Sequence, residues 1–314
     1  MNASSSRPYA LLAAGEILVD LIGHALVQDL SESRDFHRHP GGSPANLASN
    51  MARLGSAVAL VACVGDDNFG VYLKTRLADV GVPTDFVATD PLEPTSVVVV
   101  SRTTGTPDFI AYRCADRMIQ PVHLPDALLA KTALFHTTCF ALSRSPAQES
   151  LLDAARRAAN AGCQLSIDAN YAPQLWPDRA EARRVVTEYL SHGAFVKLST
   201  DDAARLYGDE VPDERILGDF HEAGAALICL TKGAEGSLLS WESGAKRATI
   251  PGKKLDVVDA TGAGDAYWAG FLTAWLDGHE YPACAEAGAR LAARKLTTPG
   301  PLPAGLGREV LYES

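Results

Sequence analysis

No stretch of the 314-residue chain reaches the roughly 18 apolar residues that a membrane-spanning helix needs. The apolar opening, through GEILVD, is interrupted by Glu16 and Asp20, so it reads as a buried strand rather than a signal peptide. Positive charge is scarce: 28 Lys and Arg stand against 38 Asp and Glu, for a net charge of −10. Nucleic acid and anionic membrane both need a basic face, so neither is expected as a partner, although a small pocket for phosphate stays open. The six cysteines are scattered, without a C-x-x-C pair, which fits reduced core residues of a cytoplasmic protein and gives no zinc spacing. His37 and His39 in FHRH lack nearby metal-ligating partners and read as part of a polar loop. The chain also lacks G-x-x-x-x-G-K-[ST], and its GAGDAY has tyrosine where a dinucleotide fingerprint needs its third glycine. The two commonest phosphate-binding loops are thereby excluded. Repeats, low-complexity tracts and long linkers are missing as well.

What is present is ordinary for a globular enzyme: 47% hydrophobic and 21% charged residues, with 26 Gly and 18 Pro. From about residue 130 short apolar runs alternate with amphipathic ones. Strands are expected at 133–138, 164–170, 194–199 and 226–233, with helices at 146–162, 178–190, from Thr200, and at 213–223. That rhythm predicts an α/β fold with a mainly parallel sheet covered on both faces. The first part differs. A strand over 9–18 leads into the polar DLSESRDFHRHPGG, and TSVVVVSR and PDFIAYR flank TTGT as a hairpin. We read one domain over 1–314, with lid segments at about 20–40 and 93–118 above the edge where open α/β sheets bind ligands.

Two stretches carry chemistry. In 259-DATGAGDAYWAGF-271, the apolar run from Ala266 predicts a buried helix whose first turn holds Gly262, Ala263 and Gly264. Unpaired amides at such a terminus, with small side chains, admit an anion to the backbone. Asp265 would stand beside that anion, placed to take a proton, or would merely complement the helix dipole. In 41-GGSPANLASNMARLG-55, Gly41 and Gly42 precede a Ser-Pro helix start, and Asn46 offers both a donor and acceptors to a hydroxylated ligand.

Together these stretches resemble the N- and C-terminal signatures of the ribokinase/PfkB family of carbohydrate kinases, and the likeness covers nearly the whole chain. It implies a ribokinase-like three-layer αβα sandwich with a small β lid. It implies ATP and Mg²⁺ as cofactors, with K⁺ as a candidate, a small sugar as substrate, and a homodimer joined through the lid. By this resemblance Asp265 is the catalytic base toward a sugar hydroxymethyl, and the amides of Gly262, Ala263 and Gly264 form the anion hole. Asp20, Gly41, Gly42, Asn46, Arg113, Asp168 and Asn170 fall to the sugar, Arg113 reaching it or the γ-phosphate from the second lid strand. Thr231, Gly233 and Gly236 in TKGAEG match the family's T-x-G-x-x-G, and Lys197 and Ser199 stand with them on the nucleotide side. Asp202 takes the place of a family Glu that organises Mg²⁺ through water, one methylene short. Asp259 and Thr261 match a monovalent-cation site.

The block DANYAPQLW is similar to the D-x-N-x-R-x-x-L-W of fructokinases and 2-keto-3-deoxygluconate kinases, with Ala172 in place of Arg. Losing that cation weakens the sugar-acid alternative more than the neutral hexose, so a fructokinase is the leading expectation. A ketodeoxygluconate, other sugar or nucleoside kinase follows. A catalytically inactive sugar- or nucleotide-binding protein is the rival from another class.

Overall fold

The computed structural model describes residues 7–103, 108–176, 178–208 and 211–313. A nine-stranded sheet forms its centre, built from β1 (Tyr9–Ala14), β4 (Val58–Gly65), β5 (Val87–Asp90), β8 (Thr132–Thr138), β9 (Gln164–Asp168), β10 (Phe195–Ser199), β11 (Leu227–Thr231), β12 (Gly236–Trp241) and β13 (Lys246–Pro251). The other four strands, β2 (Leu18–Leu26), β3 (Phe36–Gly41), β6 (Val97–Arg102) and β7 (Phe109–Tyr112), make a small second sheet. The large sheet runs β13-β12-β11-β10-β9-β8-β1-β4-β5, and the small one β3-β2-β6-β7. Every pairing from β5 to β11 is parallel, while β12 and β13 add an antiparallel edge.

All eight residues of β4 and all seven of β8 are buried. The apolar run of β4, without alternation, is what a strand covered on both faces requires, while β8 buries Thr132, His136, Thr137 and Thr138 among its apolar residues. The covering helices are α1 (Ser43–Arg53), α2 (Asn68–Ala78), α3 (Asp126–Leu129), α4 (Ala147–Asn160), α5 (Arg179–Leu190), α6 (Thr200–Tyr207), α7 (Asp213–Glu222), α8 (Ala263–Leu276) and α9 (Tyr281–Leu296). They divide the buried side chains into two clusters, one on each face of the sheet. Helix α8 is apolar almost all round because it lies beneath α9 and α1, with its residues from Ala266 to Ala274 buried.

Two early expectations change. The strand expected over 9–18 is divided at Gly15–Ile17, where the chain leaves the large sheet and begins the small one. His37 and His39 lie on β3 rather than in a loop, because FHRHPG pairs antiparallel with β2 from Gly23 to Leu18. Cross-strand pairing, absent from local composition, overrides the polar character of that stretch. The hairpin of TSVVVVSR and PDFIAYR forms as β6 and β7, though the turn residues 104–107 lie outside the described residues. The small sheet is mixed, since β2 and β6 run parallel. Among the described residues no helix is long and apolar enough to cross a membrane.

Candidate active site

The order β9-β8-β1-β4 reverses direction of travel beside β1, and ligands of open α/β sheets bind at the carboxyl ends of strands at such a point. Residues just past those ends meet there. Glu16 follows β1 and Thr138 closes β8, and the Thr138 hydroxyl donates to Glu16 Oε2 at 2.7 Å. Glu16 Oε1 accepts from the backbone amide of Ser43 at 3.1 Å, so Glu16 sets the start of α1. Gly42 ahead of it has φ 101°, and a Cβ there would stand 2.3 Å from the Glu16 carbonyl oxygen. Only glycine allows that crossing of chains.

Helix α1 then delivers two side chains to one carboxylate. Ser43 Oγ donates to Asp265 Oδ1 at 2.6 Å, and Asn46 Nδ2 donates to Asp265 Oδ2 at 2.9 Å. Asp265 lies in the first turn of α8, whose N-cap Gly262 is left-handed with φ 73° and makes no side-chain cap. The three residues Gly262, Ala263 and Gly264 therefore leave their terminus open to a ligand, with Gly264 exposed. Burial pushes the Asp265 carboxyl above its ordinary value, against the opposing effect of Ser43, Lys197 and Asn46. A carboxylate raised toward neutrality is a better proton acceptor than an exposed one.

Beneath the loop lies a charge hub. Lys197 Nζ donates to Asp168 Oδ2 at 2.7 Å, and both side chains are almost fully buried. A Cβ on Gly264 would be 3.2 Å from Lys197 Nζ, so the ammonium touches the underside of the Gly262–Gly264 turn. Burial alone would lower the Lys197 pKa, but Asp168, Asp202 and Asp265 together hold it above the usual value, so it stays charged. Asp168 Oδ1 is buried without a hydrogen-bond partner among the described residues. Asp168 and Lys197 thus sit one layer behind the surface that a sugar or nucleotide would touch.

On the sugar side, Asp20 on β2 packs against Gly41, where a Cβ would come within 2.2 Å of its Oδ2. Burial and then the negative charge of Asp265 raise the Asp20 carboxyl to about 7. Asn170 Oδ1 accepts from the Phe140 amide at 3.1 Å, which fixes the turn after β8. Arg113 does not stand free. Its guanidinium is bound by Asp116 through Nε at 2.6 Å, by Ser143 Oγ at 2.8 Å and by the Phe140 carbonyl, over whose ring it stacks.

On the nucleotide side, Thr231 ends β11, and Gly233 and Gly236 shape the turn into β12. Gly233 faces open space, whereas a Cβ on Gly236 would meet the Ile250 carbonyl at 2.0 Å. Ser199 and Asp202 form the capping box of α6: Asp202 Oδ2 accepts from the Ser199 amide at 2.9 Å, and the Asp202 amide donates to Ser199 Oγ at 3.0 Å. The other carboxylate oxygen, Oδ1, lies 3.6 Å from Arg205 Nη1. Asp259 and Thr261 do not present an open oxygen cage, since Lys295 Nζ already lies 2.9 Å from Asp259 Oδ2.

Glu16, Ser43, Thr138 and Lys295 were not legible as site residues. The Ser43-Pro44 helix start was visible, but nothing local says that its hydroxyl meets a carboxylate 222 residues away.

A bare helix N-terminus with a carboxylate in its first turn is suited to transfer of a phosphoryl group to an alcohol, the chemistry of a small-molecule kinase. The family described as pfkB family carbohydrate kinase matches residues 10–304, and the chain belongs to it. An ATP-dependent 6-phosphofructokinase of Thermoanaerobacterium thermosaccharolyticum is 31% identical over 293 residues, covering 92% of this chain and 88% of the relative. The structure of a fructokinase of Halothermothrix orenii superposes with a TM-score of 0.79 at 35% identity, covering 93% of this chain and 99% of the other. A fructokinase of Vibrio cholerae O395, solved with fructose, ADP and potassium ion bound, gives a TM-score of 0.82 at 26% identity, with 98% of each chain covered. The protein is therefore a carbohydrate kinase with the ribokinase-like αβα fold.

Proposed function

We propose that the chain transfers the γ-phosphoryl group of ATP to a primary hydroxyl of a ketohexose, with D-fructose as the reference substrate. The observation that carries this reading is the Asp265 carboxylate, held by Ser43 and Asn46 beside the open N-terminus of α8. Asp265 takes the hydroxyl proton as the sugar oxygen bonds to phosphorus and the bond to the ADP oxygen breaks. The amides of Gly262, Ala263 and Gly264 receive the charge gathering on the transferred group. Asp20 and Asn46 hold sugar hydroxyls, and the small sheet closes as a lid that excludes water. Thr231, Gly233 and Gly236 border the nucleotide. Asp202 is the residue that would hold Mg²⁺ through water, and the ion would supply neutralisation of the phosphate charge.

A second reading, in which the sugar carries a phosphate or carboxylate, is favoured by one observation. Arg113, Arg117 and Arg144, with Ser145, Gln174 and Leu175, line a cleft of about 400 Å³ beside the turn after β8. Arg113 is paired with Asp116 and Arg117 with Glu93, and Ser145 donates to Glu149. The exposed Arg144 side chain has no partner among the described residues. The similarity to a 6-phosphofructokinase supports the same reading.

ADP release measured with ATP and fructose, fructose 6-phosphate, 2-keto-3-deoxygluconate, ribose or adenosine separates these acceptors. The highest kcat/KM is expected with fructose. A clear preference for fructose 6-phosphate, or turnover of the sugar acid alone, gives the second reading and overturns the fructose assignment, while turnover of ribose or adenosine alone overturns both. For assembly we propose a homodimer through the lids, where β7 is an unpaired edge among the described residues and Leu26, Ile110 and Tyr112 are exposed.

A further inference from the structure

The loop that leads into the anion hole is fastened to the end of α9. The amides of Val258 and Asp259 donate to the Leu296 carbonyl at 2.8 and 3.2 Å. Asp259 Oδ2 accepts from the Gly300 amide at 3.1 Å, and Asp259 Oδ1 accepts from the Thr261 amide at 2.9 Å. Into this knot α9 inserts one long side chain. Lys295 is 6% exposed, and its ammonium reaches both Asp259 Oδ2 at 2.9 Å and the Asp259 backbone carbonyl at 3.3 Å. The carboxylate and carbonyl oxygens that would bind a monovalent cation are thus both turned onto a cation covalently part of the chain. The Thr261 amide donates to Asp259 Oδ1, so the second carboxylate oxygen is engaged as well.

We infer that Lys295 is a built-in monovalent cation, which positions the anion-hole loop and makes the enzyme independent of K⁺. The physical reasons are charge and place. A lysine ammonium is a compact point charge with three donors, close in size and charge to a bound alkali ion. A second cation brought to the same oxygens would meet like-charge repulsion in a partly buried setting, where solvent screens poorly. Asp259 fits the role of a permanently charged partner. Burial would raise its carboxyl, but the bonds from Lys295 and Thr261 outweigh this and hold it below its ordinary value. Because the loop continues through Thr261 into Gly262, Ala263 and Gly264, the position of the Lys295 charge fixes where those amides stand. Lys295 touches neither substrate by this arrangement and is a positioning residue. The inference rests on the proposed kinase site, so its test includes a measurement that needs no turnover.

The intact protein and Lys295→Met are compared in KCl, NaCl and tetramethylammonium chloride at one ionic strength, by ADP release and by thermal denaturation. Coupling to a cation site shifts a parameter by roughly 5- to 150-fold. The wild type should instead vary by less than about twofold in kcat/KM across the three salts, against that same scale. It should also show no K⁺-specific rise in Tm. Lys295→Met should lose about tenfold or more in kcat/KM in tetramethylammonium, as expected for a buried carboxylate left without its cation. K⁺ should restore both its activity and its Tm in part, which tetramethylammonium cannot do. A wild type activated fivefold or more by K⁺, about the lower end of that coupling range, overturns the inference. So does a variant that keeps full activity in tetramethylammonium. If Lys295→Met does not fold, the wild-type salt series decides alone. If no sugar is turned over, the Tm series still does, and a K⁺-specific rise in wild-type Tm refutes the built-in cation.

Discussion

Replacing Asp265 by Asn isolates its charge from its shape. The side chain keeps one carbonyl-type oxygen, which can still accept from Ser43 Oγ, now at 2.6 Å from Oδ1. The second contact changes sign, because Asn46 Nδ2 lies 2.9 Å from Oδ2 and would face another NH₂ group. Asn46 answers by turning its amide over to present oxygen, so the fold should persist. What is lost is the proton acceptor beside the anion hole. General-base catalysis is worth about 10² to 10⁴ in rate, so kcat should fall by that factor, or roughly 3–5 kcal/mol in the barrier. ATP affinity should change little, since the proposed arrangement sets the nucleotide's phosphates against amides rather than this side chain. The electrostatics add an independent mark. Asp265 helps raise the Asp20 carboxyl to about 7, and with Asn in its place the Asp20 pKa should move down. The assay is steady-state ADP release with the best sugar from the acceptor comparison, with Tm and circular dichroism as fold controls. A folded variant whose kcat stays within about threefold of wild type would refute Asp265 as the base, against the scale of a lost general base.

Further expectations follow from the same contacts. Gly264→Ala brings a Cβ to 3.2 Å from Lys197 Nζ, an ammonium pinned by Asp168, and it crowds the amide pocket. Its kcat/KM should fall about tenfold or more, in the range of a damaged oxyanion donor, and unchanged kinetics would remove Gly264 from the anion hole. Burial raises Glu16 from 4.5 to about 8, against the lowering bond from Thr138. The folded state therefore holds this proton more tightly than the unfolded one. The stability that goes with protonated Glu16 is complete below about pH 4.5 and is lost as pH rises through about 8, by at most ~5 kcal/mol. Chemical denaturation from about pH 5 to about 9 should show a shallower loss for Glu16→Gln than for wild type, and parallel curves would contradict it. Light scattering at micromolar concentration should give a dimer, and Ile110→Lys, which places charge on the exposed lid face, should give a monomer. A monomeric wild type would refute lid-mediated assembly.

The sequence alone determined the local and repetitive parts of this protein. Strands β9, β10 and β11 and the α4, α5 and α7 periodicities follow from which side chains are apolar at which spacing, and the strand–helix alternation after residue 130 pointed to the parallel sheet. The Gly-Ala-Gly-Asp turn before an apolar helix marked the proposed anion site and its carboxylate, because glycine and an open helix terminus act over a few residues. Tertiary structure decided what depends on contact between distant segments. FHRHPG became a strand because β2 lay beside it, and the run at 9–18 was divided because its two halves belong to different sheets. Arg113, read as reaching for substrate, is bound by Asp116, Ser143 and Phe140. Asp168 and Lys197 turned to each other behind the loop. Ser43 found Asp265, and Lys295 found Asp259, across gaps in sequence that no local pattern spans. Charge and hydrogen-bond partners are chosen by proximity in space, while composition and period report only on neighbours along the chain.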